Sequence, residues 1–249
     1  EKNEEFYTLL PTIEKELQYY KDCFKDKMVL LNCDNWQTSN FYKYFKEHFD
    51  ELGLRSLVAI DYLTGNTAGI FDDGSIYERV GTGKPKEFSY DSEATKEIFD
   101  RADIIVTNPP FSKARAFLNY LLDHDKQFLV LFNLNTMCTR DLFPSFMSGE
   151  FWLGRTIHNG DVVFEVPPDY ETHSKTSFIR GGKKYLHVNT VRWLTNIGEP
   201  HYPEPLTLTK QYTPEEYPKY DNLDAINCDA TKDIPMDYDG CIGVPITFL

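Results

Sequence analysis

Four consecutive residues, Asn108-Pro109-Pro110-Phe111, concentrate the chemistry of this 249-residue sequence. Two successive prolines stiffen the backbone and keep the Pro109 carbonyl out of any helix. The Asn108 side-chain oxygen and that carbonyl can accept both hydrogens of a planar amino group, while Phe111 stacks on the ring that carries it. So read, the tetrapeptide is a pocket for an exocyclic amine. A plainer reading is a strand-to-helix turn in which Asn caps the helix and Phe enters the core. The four residues alone do not separate the two.

Their setting depends on the flanking elements. Residues 103–107 (Asp-Ile-Ile-Val-Thr) form a hydrophobic strand pattern and 112–123 a helix pattern, so the tetrapeptide lies beyond a strand's carboxyl end, where ligands gather in open α/β sheets. Upstream, the unbroken apolar run Met28-Val29-Leu30-Leu31 suits a strand covered on both faces. Phe41, Phe45, Phe49 and Leu52 then repeat at helical spacing until Gly53, and Ser56 to Ile60 forms a second strand closed by Asp61. Residues 64–90 are turn-rich and predict hairpins or a surface excursion, 92–101 a helix, and Gln127 to Phe132 a strand. From residue 151 the pattern shifts to strand-like runs, Val162 to Val166 and Tyr185 to Ile197, as expected of an antiparallel addition. The stretch from Gly198 carries Pro200, Pro203, Pro205, Pro214 and Pro218, which forbid a long helix and predict an extended wrapping segment.

Composition excludes several classes. Hydrophobic residues make up 41% and charged residues 26%, a globular balance, and no apolar run approaches the roughly 20 residues of a membrane span. Cys23, Cys33, Cys138, Cys228 and Cys241 are odd in number and never in C-x-x-C spacing, so neither a disulfide framework nor a zinc cluster is signalled, and a reducing, cytoplasmic setting is expected. The histidines show no metal-ligand spacing, and Gly81-Thr82-Gly83-Lys84 lacks the spacing of a phosphate loop. The ending Val244-Pro245-Ile246-Thr247-Phe248-Leu249 is apolar and strand-like, which suits a truncated chain as well as a natural terminus.

Several segments together give a wider likeness: Glu5-Phe6-Tyr7-Thr8, Asn32-Cys33-Asp34 followed by Ser39-Asn40-Phe41, the run from Asp103 through Ser112, Val191-Arg192-Trp193, and Gly243 to Leu249. Over most of its length the chain resembles class I S-adenosylmethionine-dependent methyltransferases, and more closely the EcoRI-like adenine-specific DNA methylase family. The resemblance implies an α/β fold: a Rossmann-like, mostly parallel sheet with helices on both faces and an antiparallel strand addition toward the C-terminus. It implies S-adenosylmethionine as cofactor without a metal, a catalytic domain over 1–198, and an acidic extended segment over 199–249. Asn108, Pro109 and Phe111 take the catalytic positions. Phe6, Tyr7 and Thr8 match the motif over the methionine end of the cofactor, and Asn32, Cys33 and Asp34 match the loop after the first strand. Asp61 stands where an acid binds the ribose hydroxyls, and Asp91 where an acid or its neighbour meets the cofactor's adenine. The usual glycine-rich loop is absent, replaced by Asn32-Cys33-Asp34-Asn35-Trp36.

The implied reaction moves a methyl group to the exocyclic amine of an adenine flipped out of DNA. The net charge of -13 opposes a polyanion, but it is unevenly spread: residues 112–198 hold 10 bases and 8 acids, net +2. Within them Lys175, Arg180, Lys183 and Lys184 form the candidate phosphate-contacting loop around Gly181-Gly182. DNA is therefore the expected partner, with no membrane. RNA or a protein glutamine is the alternative substrate, and a non-catalytic binding scaffold the alternative class.

Overall fold

The computed structural model describes residues 6–81, 89–158, 162–171, 176–201 and 205–248. The chain divides into two units, Glu1–His201 and Tyr202–Leu249. The first begins with β1 (Tyr7–Thr8), α1 (Leu10–Leu17), β2 (Met28–Leu31), α2 (Asn40–Glu47) and β3 (Ser56–Ile60). It continues through β4 (Thr67–Phe71), β5 (Ile76–Arg79), α3 (Glu93–Arg101), β6 (Ile104–Thr107), α4 (Ala114–Asp123) and β7 (Gln127–Asn133). Two short helices, α5 (Leu134–Met137) and α6 (Phe143–Met147), lead to β8 (Trp152–Leu153), β9 (Val162–Val166), β10 (Ser177–Arg180), β11 (Lys183–Val188) and β12 (Val191–Thr195).

Every residue of β2, β3 and β6 is buried, as the unbroken apolar runs require. These strands and β7 pair in parallel in the order β3-β2-β6-β7. The chain leaves β2 toward β3 on one side and returns to β6 on the other, which opens a crevice beyond the carboxyl ends of β2 and β6. Phe41, Phe45 and Leu52 bury the apolar stripe of α2 and its following turn, and Gly53 ends it at φ +61°.

The whole sheet has eight strands, ordered β5-β4-β3-β2-β6-β7-β12-β8. It is mixed rather than mostly parallel: β4 and β5 join one edge antiparallel, and β12 and β8 join the other. The antiparallel addition expected toward the C-terminus is present in β12 and β8; the expectation of a mostly parallel sheet is corrected by the second antiparallel edge, β4 and β5. The hairpin-forming stretch after Asp61 folds straight back onto β3 instead of standing apart from the sheet. A second correction concerns Tyr185 to Ile197. The turn at Asn189-Thr190 cuts this run, so β12 enters the main sheet while β11 joins a separate antiparallel sheet, β1-β9-β11-β10. Among the described residues no helix is long and apolar enough to cross a membrane.

In the unit Tyr202–Leu249, β13 (Ala225–Asn227) and β14 (Cys241–Gly243) pair in parallel. Tyr217, Ile226, Cys228 and Ile234 form a small core beside them, so this proline-rich segment has a packed centre of its own.

Candidate active site

Asn108 follows β6 at the crevice. Its Nδ2 donates to the carbonyl of Phe6 at 2.9 Å, which fixes the orientation of the amide. Oδ1 is buried without a hydrogen-bond partner, a costly state for a core amide and an economical one for a group awaiting a donor. The turn that follows is tight: Lys113 N–H donates to the Pro110 carbonyl at 2.9 Å and Ala114 N–H to that of Phe111 at 3.4 Å. Among the described residues no backbone donor reaches the Pro109 carbonyl. Asn108 Oδ1 and the Pro109 carbonyl are thereby left as open acceptors on consecutive residues, Asn108 lining the cleft and Pro109 the recess beside it. The Phe111 ring lies half-buried, 4.9 Å from Phe6 and 6.5 Å from Phe164, and belongs to the aromatic cluster behind the cleft rather than to its lining.

Asn108 and Pro110 line a cleft of about 200 Å3, together with Phe6, Tyr7, Thr8, Asp34 and Asp61. The ends of β2, β3 and β6 each contribute, as the strand order dictates. Asp34 accepts from Ser39 Oγ at 2.6 Å and from Thr107 Oγ1 at 2.9 Å. Burial lifts its carboxyl from 3.8 to about 6; the two hydroxyls pull down against that rise, and the charge of Asp61 adds to it. Ser39 also caps α2 through Tyr42 N–H, so one hydroxyl ties the helix to the carboxylate. A carboxylate held by two neutral donors in a buried wall favours a ligand that brings positive charge.

Asp61 is 6% exposed and ends β3. Its Oδ1 accepts from Leu63 N–H at 3.0 Å and its Oδ2 from Thr64 Oγ1 at 2.5 Å, so it shapes its own turn while facing the cleft. Each oxygen keeps a lone pair for a further donor. Burial, and then Asp34, push the Cys33 thiol strongly up, which makes it an inert wall residue. The glycine-free loop is closed by Asn35, whose Oδ1 accepts from Gln37 N–H at 3.1 Å and whose carbonyl accepts from the N–H of Ser39 at 2.8 Å.

A smaller recess of about 10 Å3 adjoins, sharing Cys33, Tyr62 and Pro110 with the cleft and adding Asn32, Ser89, Tyr90, Pro109, Lys113 and Phe117. Both amide atoms of buried Asn32 lack partners there, as does the Thr8 hydroxyl at the cleft. Asp91 is exposed and lines neither space; its neighbours Ser89 and Tyr90 line the recess. Sequence reasoning misses Tyr62, whose ring faces Lys113 Nζ at 4.9 Å, and Asn40, whose Nδ2 donates to the Thr8 carbonyl at 2.8 Å. Position immediately after Asp61 was the available signal for Tyr62.

Lys175 lies outside the described residues. Arg180, Lys183 and Lys184 belong to the β10–β11 hairpin, turned by Gly181 and Gly182 at φ +56° and +77°. Lys183 Nζ pairs with Glu165 Oε2 at 2.9 Å, and Lys184 Nζ donates to the Tyr170 carbonyl at 2.6 Å. Among the described residues no group of three or more His, Cys, Asp or Glu converges on a point that could hold a metal.

The family model described as "Adenine-specific methyltransferase EcoRI" matches residues 1–82 and 84–249. The chain is 39% identical to Type II methyltransferase M.EcoRI of Escherichia coli, over all of this chain and 82% of that protein. It is 37% identical to Type II methyltransferase M.MpnI of Mycoplasma pneumoniae, over all of this chain and 79% of that protein. No solved structure matches. On a match that spans nearly every residue, the chain belongs to the adenine-specific methyltransferase EcoRI family.

Proposed function

We propose that this chain transfers a methyl group from S-adenosylmethionine to the exocyclic amino group of an adenine flipped out of DNA. The observation that carries the reading is the Asn108 amide: one end is fastened to Phe6 and the other, Oδ1, is a buried acceptor without a donor in the cleft wall. A planar amine supplies two donors, and Oδ1 and the Pro109 carbonyl are the two acceptors beside each other in sequence.

The residues present fit the cofactor. Asp34 offers a carboxylate to a cationic ligand, Asp61 offers two oxygens to a pair of ribose hydroxyls, and Phe6, Tyr7 and Thr8 close the methionine side. Asn32, Tyr62, Ser89 and Tyr90 line a recess that is closed to about 10 Å3 and must widen to admit an adenine ring, with the unpartnered Asn32 amide as its polar contact; around Asp91 it is the neighbours Ser89 and Tyr90, not the exposed acid, that line it. The parallel centre β3-β2-β6-β7 with its crevice supports a Rossmann-like core. When bound, the cofactor supplies a methyl carbon made electrophilic by a sulfonium.

The chain's own work is alignment and electrostatics. The adenine amine is a poor nucleophile because its lone pair is delocalised into the ring. Hydrogen bonds from its two N–H groups to Asn108 Oδ1 and the Pro109 carbonyl draw the nitrogen toward tetrahedral geometry and localise that pair. Both acceptors are preorganised, one by Phe6 and one by the Pro-Pro backbone, so neither must move as charge develops. Phe111 packs on Phe6, which does line the cleft, and its stacking on the extruded base requires the ring to turn out of that cluster as the base enters. The proton released from nitrogen passes to water, and no general base is needed.

The catalytic domain of the proposal is the segment 1–198, with the acidic segment 199–249 outside the chemistry. A DNA substrate places the working chain in the cytoplasm. Asn108→Ala tests the reading: methyl transfer to DNA should fall at least about a hundredfold while cofactor affinity stays within a few-fold of wild type. Transfer at the wild-type rate removes Asn108 from the mechanism.

A further inference from the structure

The antiparallel sheet β1-β9-β11-β10 buries one face through Val162, Phe164, Val166 and Leu186. Alternation sends the other face outward. Register sets Phe178 opposite Tyr185 and Arg180 opposite Lys183, and puts Glu165 between Tyr7 and Tyr185. The contacts agree with the register. Phe178 stacks on Tyr185 with centroids 5.4 Å apart at 20°, and its ring lies 5.3 Å from that of His187. Glu165, an acid on this face, is neutralised by Lys183 at 2.9 Å. Phe178 is 38% exposed, and among the described residues no carboxylate pairs with Arg180. Lys184, by contrast, leaves from the opposite face and donates to Tyr170.

We propose that this outer face is the platform for the DNA strand flanking the target adenine, with Phe178 and Tyr185 stacking an unstacked base and Arg180 holding a phosphate. The proposal rests on the reading of the substrate as DNA. Three observations converge on that occupant. Stacked aromatic rings beside an exposed arginine are the combination that binds nucleic acid without sequence preference. The face is cationic once Lys183 has cancelled Glu165, in a chain whose net charge is -13. The sheet is also continuous with the cleft: Tyr7 and Thr8 of β1 line it, and β10 lies three strand spacings away, about 14 Å. A strand entering the cleft therefore meets this sheet next.

Phe178→Ala and Arg180→Ala test it, since both side chains are exposed and neither lines the cleft. Fluorescence anisotropy with a labelled duplex pool of randomised sequence, and with the same pool as single strands, reads DNA affinity; calorimetry reads cofactor affinity. Phe178→Ala should weaken single-strand binding about tenfold. Arg180→Ala should reduce the slope of log affinity against log salt by about one. Cofactor affinity should be unchanged in both. If wild-type protein binds DNA and both variants match it in affinity and slope, the platform is refuted and the DNA reading stands. If wild-type protein shows no salt-dependent affinity for either pool, the DNA reading fails and the platform fails with it.

Discussion

Replacing Asp34 with asparagine isolates the electrostatic design of the cleft. The carboxyl of Asp34 titrates at 3.8 in an ordinary setting and at about 6 here, chiefly because burial disfavours the charged form. A raised carboxylate loses stability with rising pH. Below 3.8 both folded and unfolded chains are protonated there and the group is neutral in its effect. Between 3.8 and about 6 the unfolded chain releases its proton while the folded chain keeps it, and above about 6 the full cost is present. At about 1.36 kcal/mol per pH unit, that cost reaches at most about 3 kcal/mol. The amide introduced by Asp34→Asn cannot ionise and still offers an oxygen to Ser39 or Thr107. Urea unfolding of both proteins at a series of pH values from about 4 to about 7.5 measures the effect. Relative to Asp34→Asn, the wild type should lose stability by up to about 3 kcal/mol across this window. Calorimetry should show the reverse preference for ligand: S-adenosylmethionine, being cationic, should bind the wild type more tightly above about pH 6 than below it, and the variant weakly at both. A difference in unfolding free energy that stays flat with pH would refute the assignment of a carboxylate at Asp34 whose burial outweighs its two hydroxyl donors.

Other expectations follow from single contacts. Asp61→Ala removes the acceptor for Leu63 N–H and Thr64 Oγ1, so the turn after β3 should loosen and cofactor affinity should drop about tenfold or more by calorimetry. Gly154→Ala would bring a Cβ within 2.3 Å of Glu16 Oε1 and 2.5 Å of Trp193 Cβ; both neighbours are fully buried, and unfolding should show a loss of about 1–3 kcal/mol. Glu16→Ala strips the acceptor for Tyr20 Oη and for the N–H groups of Arg155 and Thr156, and should cost about 3–5 kcal/mol in chemical unfolding without a specific change in cofactor affinity. Tyr62→Ala should weaken cofactor binding, and Tyr62→Phe should restore most of it, if the ring rather than the hydroxyl is what the recess uses.

The strands of the central sheet were legible because their signal is local: Met28 to Leu31, Ser56 to Ile60 and Ile104 to Thr107 are apolar almost without interruption, and only a strand covered on both faces tolerates that. The helix over Asn40–Glu47 was legible from phenylalanines at helical spacing, and the position of Asn108 past a strand end followed from the same alternation. Attachment was not legible. Hairpin turns after Asp61 and a strand-like run at Tyr185 to Ile197 do not state which sheet edge will receive them, since that depends on pairing with residues far away. The same reason governs the site. Asn108 and Phe6 stand 102 positions apart, and Thr107 and Asp34 stand 73 apart, so the free Oδ1 and the perturbed carboxyl exist only once β1 and β2 are docked beside β6. The basic cluster shows the limit most directly: composition grouped Arg180, Lys183 and Lys184, whereas strand register sent Lys184 to one face and the other two to the opposite one. Residue type and spacing determined which groups could do chemistry; packing between distant segments decided which of them were left unpaired to do it.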